Sequence, residues 1–361
     1  MTARQEFRDH VSALLENTPN GLITGHLVFE LEAAAPPWTD TGLFVQTGDR
    51  ITVLLSGRIY LDEAADLWLD PGLQVWARVD GRGPVVRGSR ASNTFTSASD
   101  GNVELGNANP AEWLDHDGAI GVDPSLYGFM TGGTTVAILR WAAGVDPATA
   151  LERMAAQSDF EGLLAGEAHR LSEHAGTAPG GWEHLWFLGP SEVFAEAEPG
   201  VISCNTQNTF AIICHDADIA LTPDTKLSWS WKVDRLPSAL DEDSLPTHDY
   251  LSIAVEFDDG LDLTYQWSAG LDMETSYRCP LPHWSERETH LVVRSGGAEL
   301  GRWLNEDRNV YTDRANAIGG PDPARIIRVW LIAVSIFQHG EGSCSYASIG
   351  VTNGATSCRV L

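Results

Sequence analysis

Two groups of side chains in this sequence have the types and spacing for chemistry. The first is the run GNANPAEWLDHDGA, residues 106–119, in which Asn109, Glu112, Asp115 and Asp117 surround Trp113. Oxygens crowded into one short loop suit a hard cation, which takes roughly six to eight oxygen ligands from a flexible segment. The run reads either as a calcium loop, with calcium the one cofactor it would take, or as a hydrated turn whose Asn and Asp side chains bond their own backbone. It lacks the spacing of an EF-hand. Trp68, Trp76 and Trp113 fall near loops of the same region and would offer aromatic faces to the C–H surface of a sugar.

The second group lies further along. Lys232, Ser252 and Glu256 sit at alternating positions opposite the large apolar side chains of their own strands. Asp249 stands at a strand entry, with Tyr265, Arg294 and His339 in the same pattern. Charged groups turned to one sheet face among aromatics could form an acid/base cleft with shifted pKa values, although a solvated outer face has the same pattern. Lys232, Asp249, Glu256, Tyr265 and His339 are therefore the candidate catalytic residues, and Lys232 and Glu256 are expected to share one cavity. Glu306, Arg308, Asn309 and Asp313 read as a helix cap with an arginine–carboxylate pair.

Cys279 with His283, and His339 with Cys344, could be gathered into a zinc set, but the intervals are loose and the five cysteines read better as small buried hydrophobes. Five is an odd number and no CxxC pair occurs, so disulfides are not demanded. GxSxG, HExxH, phosphate-loop and dinucleotide motifs are absent, which removes several common enzyme classes.

The elements that must position these groups are mostly strands. Phe7, Val11, Leu14 and Leu15 mark a short helix over residues 3–16. From Leu22 to about Trp141 the apolar runs are short, β-rich and separated by turn formers. Asp146 and Pro147 then open a helical stretch to about His174, and the glycine-rich EHAGTAPGGW reads as a boundary. Beyond it, LSWSWKVD alternates as a half-buried strand, Asp259-Gly260 predicts a hairpin with a tight type I′ turn, and Asn305 is expected to cap a short helix through about Ala317.

Composition sets the outer bounds. The 361 residues suit two domains, and 43% apolar content can fill both cores. A net charge of -27 repels phosphate backbones and anionic lipid, so neither nucleic acid nor a membrane is an expected partner. The first residues lack a signal peptide's apolar run, and no long uncharged apolar stretch occurs, which makes the cytoplasm the expected location.

Two resemblances rest on these residues. WTDTGLFVQTGDRITVLLSGRIY with DGNVELGNANPAEWLDHDG resembles the calcium-dependent galactophilic bacterial lectins of the PA-I type and their galactose-binding-like relatives. That resemblance implies a lectin-like sandwich in which Asn109, the Glu112 carbonyl and Asp115 hold calcium and the metal holds sugar hydroxyls. Here His116 stands where those lectins have asparagine, the loop is about one residue short, and GVDPSLYGFMTGG is an added segment.

From about residue 180 to 351, GWEHLWF, LSWSWKVDRLP, HDYLSIAVEF and LGRWLNEDRNVYTD resemble an uncharacterised bacterial family with WxWKVD and GxWxxExRNVxxD motifs. The family lends no reaction. Its acidic run after the last long strand is SIFQHGEG here, with Gln338 and His339.

The sequence thus predicts a mainly β chain of two β-sandwich, jelly-roll-like domains joined by a helical connector. The expected divisions are 1–20 for the N-terminal helix, 21–145 for the lectin-like sandwich, 146–178 for the connector and 179–361 for the second sandwich. The expected function is binding of a carbohydrate or small polar ligand. The alternative is a cofactor-independent lyase, hydratase or hydrolase acting in the second domain or at the domain interface.

Overall fold

The computed structural model describes residues 3–35, 37–109, 112–173 and 176–361. Part of the loop at Pro110 and Ala111, and the expected connector end at His174 and Ala175, lie outside the described residues. The chain divides into two compact units, Met1–Gly176 and Thr177–Leu361. Each is a pair of sheets, and the chain is mainly β. Among the described residues no helix is long and apolar enough to cross a membrane.

In the first unit a five-stranded sheet runs Ile23–Glu32, Thr131–Trp141, Arg50–Asp62, Leu67–Leu69, with Ser92–Thr96 also paired to Arg50–Asp62. It faces a four-stranded sheet ordered Thr39–Val45, Gly101–Asn107, Val75–Val79, Arg82–Val86. Alternation places Val53, Leu55, Val136, Val75, Ala77, Val103 and Leu105 between the sheets. Asp146 caps the helix Pro147–Ala155, its carboxylate accepting from Thr149 N at 3.1 Å.

That helix and Leu163–Glu173 do not stand apart as a connector. With Ala3–Asn17 they form a layer on the outer face of the five-stranded sheet, where Phe7, Leu14, Leu151, Met154 and Leu164 pack with Leu54, Leu139 and Trp141. The apolar stripes read as helical had to be buried somewhere, and this sheet face provides the partner.

The second unit pairs a six-stranded sheet with a seven-stranded one. The first runs Phe194–Glu198, Val201–Gln207, Glu341–Thr352, Lys226–Arg235, Leu304–Asn309, with Ser357–Arg359 beside Glu341–Thr352. The second runs Glu183–His184, Phe210–Ala220, Arg325–Val334, Leu251–Phe257, Asp262–Ser268, Glu288–Ser295, Ser276–Arg278. Trp229, Trp231, Val233, Ile253, Val255, Tyr265, Trp267 and Tyr346 fill the space between them.

Leu251–Phe257 and Asp262–Ser268 form the expected hairpin, but its turn is not type I′, which needs positive φ at both central residues: Gly260 is at φ +82° and Asp259 is outside that region. Asp262–Ser268 and Glu288–Ser295, however, pair in parallel. A parallel pair needs a crossover rather than a hairpin, and residues 269–287 supply it.

The expected helix start is corrected. Leu304–Asn309 is a strand paired with Lys226–Trp231, and the helix Val310–Ala317 begins at Asn309, whose side chain accepts from Thr312 N at 2.8 Å. Pairing with the tryptophan strand outcompetes a cap at Asn305, whose side chain instead accepts from Ser230 Oγ at 2.6 Å.

Candidate functional site

The outer face of the seven-stranded sheet is the most polar buried surface among the described residues. In the strand Leu251–Phe257 the residues Leu251, Ile253, Val255 and Phe257 face the core, so Ser252 and Glu256 face outward. By the same period Asp262, Thr264, Gln266 and Ser268 face outward from the next strand, and Glu288 and His290 from the one beyond. All of these are buried, because segments on either side of the sheet strands fold over them. The crossover brings Tyr277, stacked on His290 at 4.9 Å, and Trp284, edge-on to Trp330 at 6.4 Å. The stretch before Leu251 brings Glu242, His248 and Tyr250.

Four of these side chains converge. The ligand-type atoms of His248, Cys279, Glu288 and His290 all lie within 4.8 Å of one another, and all four residues are buried. His248 Nε2 is 3.3 Å from Cys279 Sγ, and His290 Nε2 is 3.4 Å from Glu288 Oε1. Tyr250 and Thr264 donate their hydroxyls to Glu288 Oε1, each at 3.1 Å. Burial, reinforced by neighbouring His290, pushes His248 down to about 3, so its imidazole is neutral. Burial and then the Glu288 charge push the Cys279 thiol far up. No other group of His, Cys, Asp and Glu among the described residues comes together in this way.

Beside this group runs a charged one. Glu256 pairs with Arg328 at 2.9 Å and Arg287 at 3.4 Å, and Arg287 also reaches Asp262 at 3.4 Å. The Arg287 guanidinium lies 5.3 Å from the Trp284 ring and 5.1 Å from the Trp330 ring. Burial raises the Glu256 carboxyl despite the two arginines.

The expected catalytic residues are separated by this geometry. Glu256 lies on the polar face, but Lys232 belongs to the six-stranded sheet, where it pairs with Asp234 at 3.2 Å. Each side chain points away from the core the two sheets share, so they sit on opposite outer faces of the sandwich and cannot share a cavity. Tyr265 falls in phase with Leu263 and Trp267, faces the core, and donates to Asp313 at 3.1 Å. Asp249 accepts from the backbone of Phe337 at 3.0 Å and Gln338 at 2.7 Å, and burial pushes it up to about 6. His339 turns to Asn208, Nδ1 to Oδ1 at 2.6 Å.

Of these four, only Cys279 is among the residues the sequence offers for a zinc set; His248, Glu288 and His290 are not among the expected residues. The sequence held one signal for them: Glu288 and His290 are two apart at a strand start and must share a face. Their partners arrive through a crossover and a loop, which periodicity does not describe. Cys279 meets His248, Cys344 stands opposite Cys204 in the other sheet, and the zinc set read from Cys279, His283, His339 and Cys344 is not the one that gathers. All five cysteines are free thiols.

In the first unit the loop 106–119 is knit into the protein. Asn109 Oδ1 accepts from Gln74, while Glu112 accepts from Asn109 N at 2.9 Å, from Asn109 Nδ2 at 3.0 Å and from the Tyr127 hydroxyl. The Glu112 carbonyl accepts from Gly121 N at 2.8 Å. Asp115 closes its own turn, accepting from Asp117 N and Ala119 N, each at 3.0 Å. Side-chain oxygens of Asn109, Glu112 and Asp115 and the Glu112 carbonyl are thus engaged by protein donors, while Asp117 is exposed, its carbonyl accepting from Arg78 at 2.7 Å. Tyr127 belongs to GVDPSLYGFMTGG, so that segment supplies one of the donors.

Trp76 and Trp113 are buried edge to face at 5.7 Å and offer no open platform, because this loop folds over the sheet. Trp68 is half-buried under the Arg58 guanidinium at 4.3 Å. In the second unit Trp229, Trp231 and Trp330 are buried and Trp303 is 47% exposed.

The rest of the four-stranded sheet's outer face is exposed at Asp40 and Phe44 and half-buried toward Glu104 and Arg78, whose guanidinium lies 4.3 Å from the Trp38 ring and donates to the Asp117 carbonyl at 2.7 Å. Asp40 and Phe44 point out from one strand, Asn102 and Glu104 from the next, and Arg78 from the third. Asn102 donates to Asp40 at 3.0 Å, Arg78 donates to Glu104 at 2.5 Å, and Phe44 is 52% exposed opposite Asn102.

Comparison with known proteins gives the following. The profile of a family described as "Protein of unknown function (DUF3047)" matches residues 181–350. No curated protein matches the chain. Among solved structures, the PllA-like lectin N-terminal domain of EclA is similar at 16% identity, covering 34% of this chain and 99% of that one, with a TM-score of 0.26. The xyloglucanase domain of NopAA from Sinorhizobium fredii, in complex with cellobiose, is similar at 7% identity over 44% of this chain and 85% of that one, TM-score 0.30. A carbohydrate-binding module of the β-sandwich superfamily is similar at 11% identity over 92% of this chain and 100% of that one, TM-score 0.21. At these scores the likenesses assign neither a ligand nor a reaction to this chain.

Proposed function

We propose that the chain binds a carbohydrate or similar small polyhydroxylated ligand, on the outer face of the four-stranded sheet in the first unit. The observation that carries this reading is the exposed ring of Phe44 beside the paired planar groups of Asp40 with Asn102 and Arg78 with Glu104. An apolar ring gives a sugar's C–H face a surface, and amide, carboxylate and guanidinium groups fixed by one another present donors and acceptors to neighbouring hydroxyls. A rigid sheet holds them at little entropic cost on binding.

The test is a glycan array probed with the full chain, followed by calorimetry on any sugar retained. Phe44→Ala and Glu104→Gln are each expected to weaken binding about tenfold, roughly 1.4 kcal/mol. Retention of no glycan, or affinity unchanged in both folded variants, would sink the reading.

A second reading, acid/base chemistry in the second unit, is favoured by Asp249, pushed up to about 6, and by Glu256, raised between Arg287 and Arg328. It predicts turnover of an oligosaccharide or uronate, seen by NMR, that Glu256→Gln removes. An unchanged substrate panel counts against it.

A further inference from the structure

We propose that His248, Cys279, Glu288 and His290 form a closed four-ligand site for a divalent transition-metal ion of the zinc class. Hydrogen bonds fix which imidazole nitrogen carries the proton. Gln266 Nε2 faces the Glu242 carboxylate at 3.5 Å, an arrangement that makes Nε2 the donor and turns Gln266 Oε1 the other way. That oxygen accepts from the Tyr277 hydroxyl at 2.9 Å and from His290 Nδ1 at 2.8 Å, so His290 carries its proton on Nδ1. Its Nε2 presents a lone pair to the cluster, where it is buried and makes no hydrogen bond.

His248 repeats the pattern. Its Nδ1 lies 2.6 Å from the Glu242 carbonyl, which can only accept, so Nε2 again turns a lone pair inward, toward Cys279. Two imidazole lone pairs, a thiol sulfur and a carboxylate oxygen thus face one another in a space closed to water. The one proton among them, on the Cys279 thiol, can serve only one of the facing lone pairs, whereas a metal ion would serve all four atoms once that thiol is deprotonated. Ligating histidines are commonly oriented this way, with the far nitrogen hydrogen-bonded to a carbonyl or side chain.

Distance and donor type select the ion. Zinc–ligand bonds of about 2.0–2.3 Å in a tetrahedron separate neighbouring ligand atoms by about 3.3–3.7 Å. The Cys279–His248 contact of 3.3 Å and the His290–Glu288 contact of 3.4 Å fall in that range, and the other pairs lie within 4.8 Å, so an ion would draw the four atoms closer together. Sulfur and imidazole donors suit zinc-class ions and not calcium or magnesium, which take oxygens. Because all four residues are buried, with no ligand position turned to solvent, the site is of the structural kind. It would tie the crossover, the segment before Leu251 and the strand Glu288–Ser295 together.

The full chain, purified without a metal-affinity tag, is expected to carry one equivalent of such an ion by elemental analysis. Unfolding with a chelator, then refolding with cobalt, should give the absorption of a tetrahedral site with a thiolate-to-cobalt band. Cys279→Ser should abolish that band, and His290→Gln should lower metal content. Should either variant fail to fold, the wild-type metal content and cobalt spectrum still decide. A folded chain with no stoichiometric metal as purified and after refolding with zinc overturns the proposal. So does a cobalt spectrum without the thiolate band, or one that Cys279→Ser leaves unchanged.

Discussion

Tyr127 is buried with its hydroxyl on Glu112, and Glu112 also holds Asn109, which in turn holds Gln74. A chain of hydrogen bonds around one buried carboxylate loses more from one missing donor than an exposed pair would, because water cannot take its place. Tyr127→Phe is expected to destabilise the chain by about 2 kcal/mol, read from its urea midpoint, the range of a hydrogen bond to a charged group. An unchanged midpoint would mean the Glu112 knot is held by Asn109 alone. The same network governs the cation question. With Asn109, Glu112 and Asp115 engaged by protein donors, calcium added to the chain is expected to release no binding heat at this loop. Heat that Asp115→Asn removes would show that these oxygens can be drawn away.

At the scale of elements, what could be read in the sequence follows from periodicity and its reach. Trp229, Trp231 and Val233 announced a half-buried strand, and Asp259-Gly260 announced the hairpin, because side-chain alternation and turn geometry are local. The polar face was half visible in Ser252 and Glu256 for the same reason. Lys232 was misplaced because alternation gives a side chain's face within its own strand but not which sheet the strand joins. Cys279 and His248 were out of reach because a parallel pair forces a crossover whose path depends on the whole unit.

The helix Ala3–Asn17 is a local element whose attachment can be tested. Arg4 and Arg8 both pair with Glu30 on the first strand. Partial burial alone would raise the Glu30 carboxyl, but Arg4, Thr135 and Arg8 outweigh it and hold it below its ordinary value of 4.5. A carboxyl depressed in the folded state stabilises above its unfolded pKa and loses that contribution as the pH falls through the folded one. Protection factors of the amides in residues 5–17 are therefore expected to fall as the pH drops below the ordinary carboxyl value of 4.5, by an amount worth up to about 1 kcal/mol, since the pair is partly solvated. Glu30→Gln should give fast exchange at neutral pH and remove the acid dependence; equal protection in both proteins would leave the helix held by Phe7, Val11 and Leu14 alone.

Taken whole, the molecule has separate cores in its two units, and each core has its own sensitivity. The first unit buries one cluster between its sheets and a second under its helices, while the second unit has a single large cluster rich in tryptophan. Compact units with their own cores unfold as cooperative units. An ion held by His248, Cys279, Glu288 and His290 binds only the folded second unit, since these residues meet through tertiary structure. Its removal must then lower that unit's stability by RT ln(1 + [M]/Kd). Leu151→Ala cuts into the helix-covered core of the first unit and should cost about 2–5 kcal/mol there. Scanning calorimetry of the full chain is expected to show the two perturbations moving different transitions. Chelation should shift the one that Leu151→Ala leaves in place, and zinc should restore it. If both perturbations move the same transition by comparable amounts, the two cores melt as one body and the assignment of the ion to the second unit needs the cobalt spectrum instead. If chelation moves neither, no ion is holding the crossover to the sheet.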